Sequence, residues 1–234
     1  MMLNESVNPE QKLVVGMVLF PGLTLLDLIG PLTVLAYHST IYLVSSNLEP
    51  VTSDQGAQLV PNCDYDGCPV NLDILFIPGG DGVVDAMVDP ALLSFVKTRG
   101  QNAGYVTSVC TGALILAAAG LLEGFDATTH WAWHDVLKTF GANPVAKRVV
   151  IDRNRVTGGG VTAGIDFGLS LLAHLRGELA AQTRQLMIEY DPNPPFESGS
   201  PEKAEPKVIE LAEKLLNAAA ERQIVIQRQN RARP

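Results

Sequence analysis

Residues 105–120 constrain the fold most strongly, because a strand pattern passes into a helix pattern there. Tyr105–Val109 is β-branched and apolar, which predicts a buried strand, and Gly112–Ala119 is small and apolar, which predicts a buried helix. Cys110 falls on the short turn between them. Nucleophile elbows of α/β enzymes hold a reactive side chain at such a turn. The segment therefore predicts an α/β protein that presents a cysteine at the end of a strand.

The position of Cys110 at a helix start also bears on its acidity. Unpaired backbone N–H groups and the positive end of the helix dipole favour an anion there, so we expect the pKa of the thiol to fall. The alternative is a buried structural cysteine, since free cysteine is among the most buried residue types. A cysteine needed only for packing would lie inside the strand or the helix. We therefore favour a nucleophile.

Strand and helix patterns alternate along the chain, which predicts a mostly parallel sheet flanked by helices on both faces. The predicted strands are Leu13–Phe20, Ile41–Ser45, Ile74–Ile77, Tyr105–Val109, Ala127–Thr129, Val149–Ile151 and Val156–Thr157, with a hairpin over Thr52–Val60. The predicted helices are Thr24–Tyr37, interrupted by Gly30-Pro31, a helix capped by Asp89-Pro90 and running to about Thr98, and helices over Ala132–Thr139, Ala163–Leu175 and Leu179–Tyr190.

The 234 residues predict a single domain, residues 1–234, with its core at residues 12–190. Residues 191–234 are predicted to form a proline-rich connector and a C-terminal helical arm, which is too short for a core of its own. The arm is predicted from apolar residues at helical spacing: Ile209, Leu211, Leu215, Leu216 and Ala219.

Charge and composition exclude several partners and locations. A net charge of −8 gives no basic surface for nucleic acid or an anionic membrane. The longest apolar run, Ala113–Leu122, is far below the ~20 residues of a membrane span, and the N-terminus lacks a signal-peptide pattern. Three cysteines are few and odd in number, which favours a reduced cytoplasmic protein. Cys63 and Cys68 could pair or share a metal, but no second Cys/His pair supports a zinc site.

Three loops that follow predicted parallel strands carry the candidate chemistry: Gly22–Asp27, Pro78–Gly82 and Cys110–Thr111. The carboxyl ends of parallel strands meet at one crevice, so these loops are expected to face each other. Asp27 lies among apolar residues, and burial would raise its pKa and make the Cys110 thiol a plausible proton partner. Its alternative role is a helix N-terminal acid.

Two further features of these loops stay open on sequence alone. Gly79-Gly80 could aim backbone N–H groups at a developing negative charge, or form only a turn. The hydroxyl of Thr111 could donate to the thiolate or to substrate, or cap a helix.

The histidines of the segment 128–135 carry a weaker signal. His130 and His134 have the i, i+4 spacing of metal ligands, but no acid at the zincin position and no third ligand accompany them. The neighbouring Trp131 and Trp133 favour a packed or substrate-lining segment. A His–Asp pairing with Cys110 stays possible. Gly158-Gly-Gly160 lacks a phosphate-binding motif, so we assign it a structural role.

Several motifs together resemble the ThiJ/PfpI superfamily of glutamine-amidotransferase-like proteins and, within it, the isonitrile (isocyanide) hydratases. The resemblance covers nearly the whole chain apart from about ten N-terminal residues and the tail. Its motifs are Leu26-Asp-Leu-Ile-Gly-Pro31, Ile77-Pro-Gly-Gly80, Tyr105-Val-Thr-Ser-Val-Cys-Thr-Gly112, Ala118-Ala-Gly-Leu-Leu122, Thr128-Thr-His-Trp-Ala-Trp-His134, Thr157-Gly-Gly-Gly-Val-Thr-Ala-Gly-Ile-Asp-Phe167, Glu189-Tyr-Asp-Pro192, Pro195-Phe196 and Gly199-Ser-Pro201. Thr111 stands where PfpI peptidases have histidine, and Asp27 stands where most of the superfamily has glutamate.

The resemblance implies a flavodoxin-like fold, a homodimer, and no metal or organic cofactor. It implies Cys110, Asp27 and Thr111 as the catalytic set. The predicted place of Gly79 and Gly80 beside the Cys110 turn makes them the candidate backbone donors. The resemblance implies hydration of an isonitrile to an N-substituted formamide, and our hypothesis for the intermediate is a thioimidate on Cys110. The apolar residues around Asp27 and the two tryptophans predict a small hydrophobic substrate. Two alternatives stay open: a cysteine-based redox sensor, and a hydrolase or glyoxalase-like enzyme for small carbonyl compounds, which needs a histidine at Cys110.

Overall fold

A seven-stranded sheet forms the centre of the protein in the computed structural model, which describes residues 11–216. Its strand order is β10-β11-β7-β6-β1-β2-β5, and every neighbouring pair is parallel except β10 with β11. The strands of the chain are β1 (Leu13–Val18), β2 (Ser39–Ser45), β3 (Val51–Thr52), β4 (Gln58–Leu59), β5 (Cys63–Asp64), β6 (Ile74–Ile77), β7 (Tyr105–Val109), β8 (Asp126–Ala127), β9 (Asn143–Pro144), β10 (Val149–Asp152) and β11 (Arg155–Gly158). The mostly parallel sheet that the sequence predicts is confirmed.

The helices pack in two groups on the two faces of the sheet. Around α6 lie α1 and α7, and around α4 lie α2, α3 and α5. The helices are α1 (Leu25–Leu35), α2 (Val83–Ala86), α3 (Pro90–Asn102), α4 (Gly112–Ala118), α5 (His134–Thr139), α6 (Ala163–Arg176) and α7 (Glu178–Met187). Residues 206–216 are also helical. Of the described helices, none is long and apolar enough to cross a membrane.

The three central strands carry the site loops at one edge of the sheet. β6 pairs in parallel with β1 on one side and with β7 on the other, with Ile77 opposite Ser108. All four residues of β6 are buried, as a strand covered on both faces requires. The loops that follow β1, β6 and β7 therefore end side by side.

Helix α1 corrects one prediction, because it continues through Gly30-Pro31 without interruption. Pro31 has no N–H to donate to the preceding turn, which normally weakens a helix. Here the residue lies where α1 crosses α6: a Cβ on Gly164 would stand 2.9 Å from Pro31 Cδ. This close packing, which sequence cannot show, stabilises the helix across the proline.

Other elements follow the predictions with shifted ends. The hairpin around Gln55-Gly56 forms as antiparallel β3 and β4. The Asp89 side chain accepts hydrogen bonds from the N–H groups of Ala91 and Leu92, and the capped helix extends past Thr98. The short helix α2 was not predicted. The division of the chain into core and arm stays a prediction, and Ala219 lies outside the described residues.

Candidate active site

The Cys110 turn is strained and held from several sides. Cys110 has φ = +56°, a left-handed conformation that is uncommon for a residue with a side chain. Its N–H donates to the carbonyl of Gly159 at 2.7 Å, and its carbonyl accepts from the Thr129 hydroxyl at 2.8 Å. Strain of this kind persists only where the surroundings fix it, and it is concentrated at functional sites.

Gly112 brings helix α4 against the end of β6. A Cβ at this position would stand 2.3 Å from the carbonyl oxygen of Ile77 and 2.6 Å from that of Pro78. Only glycine allows this approach. It places the turn of Cys110 directly beside the Pro78–Gly80 loop.

Asp27 is fully buried in the first turn of α1. Its Oδ2 accepts a hydrogen bond from the N–H of Gly79 at 3.0 Å. Burial raises the pKa of Asp27 to about 7, while hydrogen bonding to the Cys110 side chain and to Gly79 lowers it in part and the charge of Asp54 raises it. Oδ1 has no hydrogen-bond partner among the described residues. The Cys110 thiol lies close enough to this carboxyl group to lower its pKa.

The predicted fall in the pKa of Cys110 is wrong. Burial, and then the charge of Asp27, raise the pKa of the thiol well above its ordinary value, while the N–H and hydroxyl of Thr111 lower it in part. The helix start does favour an anion, but a thiol that is only 5 % exposed beside a carboxylate is harder to ionise. Burial thus favours the thiol form of Cys110 over the thiolate.

The backbone N–H groups of Gly79 and Gly80 hold Asp27 and Thr111, the two polar residues next to the Cys110 thiol. The N–H of Gly79 donates to Asp27, and the N–H of Gly80 donates to the Thr111 hydroxyl oxygen at 3.0 Å. The Thr111 hydroxyl in turn faces the carbonyl of Gly80 at 3.4 Å and the Cys110 thiol. In this structure both glycine amides are engaged in holding Asp27 and Thr111.

A small cavity opens over Cys110. Its volume is about 130 Å³, and its lining includes Thr111, His130 and Trp133. His130 Nδ1 accepts from the N–H of Ala132 at 3.4 Å, and His134 Nε2 lies 3.4 Å from the Thr128 hydroxyl. In the described part of the chain, neither imidazole hydrogen-bonds the Cys110 thiol. Among residues 11–216, no group of three or more His, Cys, Asp or Glu side chains is arranged to hold a metal ion.

Cys63 and Cys68 lie away from this cavity. Both are buried free thiols, and the Cys63 thiol donates to the carbonyl of Asp64 at 3.3 Å. Cys68 packs behind β1, where its sulfur would be 3.8 Å from a Cβ on Gly16.

Three contributions to the site were not predicted. The Thr24 hydroxyl donates to Asp54 of the β3–β4 hairpin, which ties that hairpin to the start of α1. Thr129 and Gly159 hydrogen-bond the backbone of Cys110. Both lie in motifs of the family resemblance, but neither was predicted at the site. Leu216 lines the cavity from the C-terminal helical segment. Contacts between residues that are distant in the sequence leave no local sequence pattern. Each of these residues would also be ordinary in a surface loop or on a helix face.

Comparison with known proteins places these residues in context. Residues 14–174 match the DJ-1/PfpI family. The chain is 52 % identical over 202 residues to "Isonitrile hydratase" of Pseudomonas putida, which covers 86 % of this chain and 88 % of that protein. A crystal structure of a ThiJ/PfpI family protein from Pseudomonas syringae superimposes with a TM-score of 0.88 at 44 % identity, covering 94 % of this chain and 95 % of that one.

A more distant likeness involves transcriptional regulators. The chain is 28 % identical over 195 residues to the HTH-type transcriptional regulator GbdR of Pseudomonas aeruginosa. The matched region covers 79 % of this chain but only 52 % of the regulator.

Proposed function

Because the chain belongs to the DJ-1/PfpI family and carries a buried Cys110–Asp27–Thr111 cluster, we propose that it is an isonitrile hydratase. The enzyme converts R–N≡C and water to the N-substituted formamide R–NH–CHO, which is hydro-lyase chemistry. The relative of that name is similar over most of both chains. The observation that carries the proposal is the placement of one carboxyl group beside one thiol under a cavity of about 130 Å³.

In the first step, the Cys110 sulfur attacks the terminal carbon of the isonitrile. A neutral thiol must lose its proton as the C–S bond forms, and Asp27, with a pKa of about 7, is the adjacent base. Asp27 then delivers that proton to the same carbon, which gives the thioimidate R–N=CH–S–Cys110. The N–H and hydroxyl of Thr111 stabilise the negative charge on sulfur.

In the second step, water attacks the thioimidate carbon. Asp27, again a carboxylate, accepts a proton from the water and passes it to the nitrogen. The tetrahedral adduct R–NH–CH(OH)–S–Cys110 collapses, the C–S bond breaks, and the hydroxyl proton returns to the sulfur. The products are the formamide and the free thiol, so atoms and charge balance with no cofactor or metal in the scheme.

The roles of the two glycines follow from their hydrogen bonds. Gly79 and Gly80 act as backbone donors that fix Asp27 and Thr111, and through them the developing charge. His130 and Trp133 shape the cavity around the R group, which favours a small hydrophobic substrate.

The proposal is tested by following formamide formation from 4-nitrophenyl isonitrile, by absorbance and by mass. We expect turnover by the wild type and by Cys68→Ala, which removes another buried free thiol, and none above background by Cys110→Ala. No turnover by a wild type whose thiols are shown to be reduced would refute the proposal.

We also propose that the protein works as a cytoplasmic homodimer. All three cysteines are free, as expected in a reducing compartment, and the family resemblance implies the dimer. Sedimentation equilibrium should give twice the chain mass of 25.1 kDa, and a single-chain mass at micromolar concentration would contradict it.

A further inference from the structure

Leu216 forms one wall of the Cys110 cavity, although it comes from outside the α/β core. The other lining residues lie between positions 24 and 161, in the loops and short helices around the sheet edge. Leu216 ends the described part of the helical segment 206–216. The chain reaches this position after an exposed connector, residues 191–199. A distant part of the sequence therefore completes the cavity.

The period of the helix directs Leu216 toward the core. Ile209, Ala212 and Leu216 are partly buried, and their spacing of three and four residues places them on one helix face. On the other face, Leu211 and Leu215 are 58 % and 63 % exposed. The segment thus packs on the core through one apolar stripe, with Leu216 over the cavity.

The size of the cavity limits what can bind beside Cys110. A dry cavity of about 150 Å³ holds one benzene ring, and this cavity has a volume of about 130 Å³. A groove of about 660 Å³ adjoins it and shares His130 and Val161 with it, but Leu216 lines only the smaller space. A substrate held at the thiol therefore meets the Leu216 side chain directly.

We propose that Leu216 is a specificity-determining residue: its side chain closes the Cys110 cavity and limits the R group of the isonitrile to about one aromatic ring. This inference rests on the proposed function. Leu216→Ala opens the wall to larger R groups, and Leu216→Trp narrows it further. Leu215→Ala, on the exposed face of the same segment, is the matched control.

The test compares kcat/KM for methyl, phenyl and 2-naphthyl isonitrile. Adding or removing about one methylene in an apolar pocket changes discrimination about tenfold or more. We therefore expect the naphthyl-to-methyl ratio to rise at least about tenfold in Leu216→Ala, to fall in Leu216→Trp, and to stay unchanged in Leu215→Ala. Opposite shifts in the two Leu216 variants distinguish a wall from simple detachment of the segment. An unchanged ratio in Leu216→Ala would overturn the inference. Large R groups would then extend from the Cys110 cavity into the adjoining groove and would not contact Leu216.

A second measurement separates this inference from the proposed function. Alkylation of Cys110 by iodoacetamide and by N-pyrenylmaleimide, mapped by peptide mass, probes the same wall without turnover. Faster pyrenylmaleimide labelling in Leu216→Ala alone supports the wall even if no isonitrile is hydrated. Turnover of methyl isonitrile with equal pyrenylmaleimide rates in all variants retains the hydratase and refutes the role of Leu216.

Discussion

At the scale of single residues, the proposed mechanism depends on a proton that passes between two buried groups, Asp27 and Cys110. Burial raises the pKa of Asp27 to about 7 and also raises that of Cys110, so a carboxylate and a neutral thiol coexist near neutral pH. Neither group is reactive by itself. In the proposed mechanism the Asp27 carboxylate accepts the thiol proton during attack, so a low thiol pKa is unnecessary.

The pH dependence of kcat/KM follows from this assignment. Asp27 must be ionised to accept the thiol proton, so the rate should fall about tenfold per pH unit below pH 7, where Asp27 is protonated. Asp54 and Cys110 are the titratable groups that interact with it. Asp27→Asn should lower kcat/KM by about 10²–10⁴ and remove this acid limb. A wild-type profile that is flat from pH 5.5 to 8 would exclude Asp27 as the base.

At the scale of elements, the loop after β6 positions the site through its backbone. A Cβ on Gly79 would stand 2.6 Å from the N of Thr111 and 2.8 Å from Asp27 Oδ2. Gly79→Ala must therefore displace one of these groups, and a displacement near 1 Å costs about 10²-fold in rate. Gly199→Ala, with no atom within 4 Å, is the matched control. Steady-state kinetics measures the activity of Gly79→Ala, and circular dichroism checks that the variant is folded. Wild-type activity in a folded Gly79→Ala would contradict this role of the loop.

Some of the observed elements were predicted from the sequence, and others were not. Apolar runs such as Ile74–Ile77 and Tyr105–Val109 were predicted with their observed ends, because a strand buried on both faces has a continuous signal. Turn chemistry located the Cys110 elbow and the Asp89 cap. The continuous helix through Pro31 was not predicted, since it depends on Gly164 of a distant helix. The thiol pKa was predicted in the wrong direction, because local sequence did not reveal how deeply Cys110 is buried.

At the scale of the whole molecule, the raised pKa of Asp27 reduces stability at neutral pH. The folded protein holds this proton more tightly than the unfolded chain, so the stabilisation is present below pH 3.8 and is lost as pH rises through about 7. The difference corresponds to on the order of 4 kcal/mol. Urea unfolding of wild type and Asp27→Asn should show the wild type losing stability relative to the variant between pH 4 and pH 8. A constant difference across this range would contradict the raised pKa.

Elements that are distant in the sequence form the candidate site together. Strand-end loops supply Cys110 and Thr111, α1 supplies Asp27, and the C-terminal helical segment supplies Leu216. The motifs of the core contain the candidate chemical groups of the site and could be recognised from local sequence. The proposed size limit depends on Leu216, whose position over the cavity has no local sequence signal.

Detection of a covalent intermediate tests whether the Cys110 sulfur forms a bond to the isonitrile carbon. Wild type in excess is mixed with phenyl isonitrile, quenched in acid at successive times, and digested for peptide mass analysis. We expect the Cys110 peptide to gain the mass of the isonitrile and to lose it as N-phenylformamide appears, with no gain in Cys110→Ala. Formamide formation at the wild-type rate by Cys110→Ala, or an adduct that follows the same kinetics on another residue, would contradict the account.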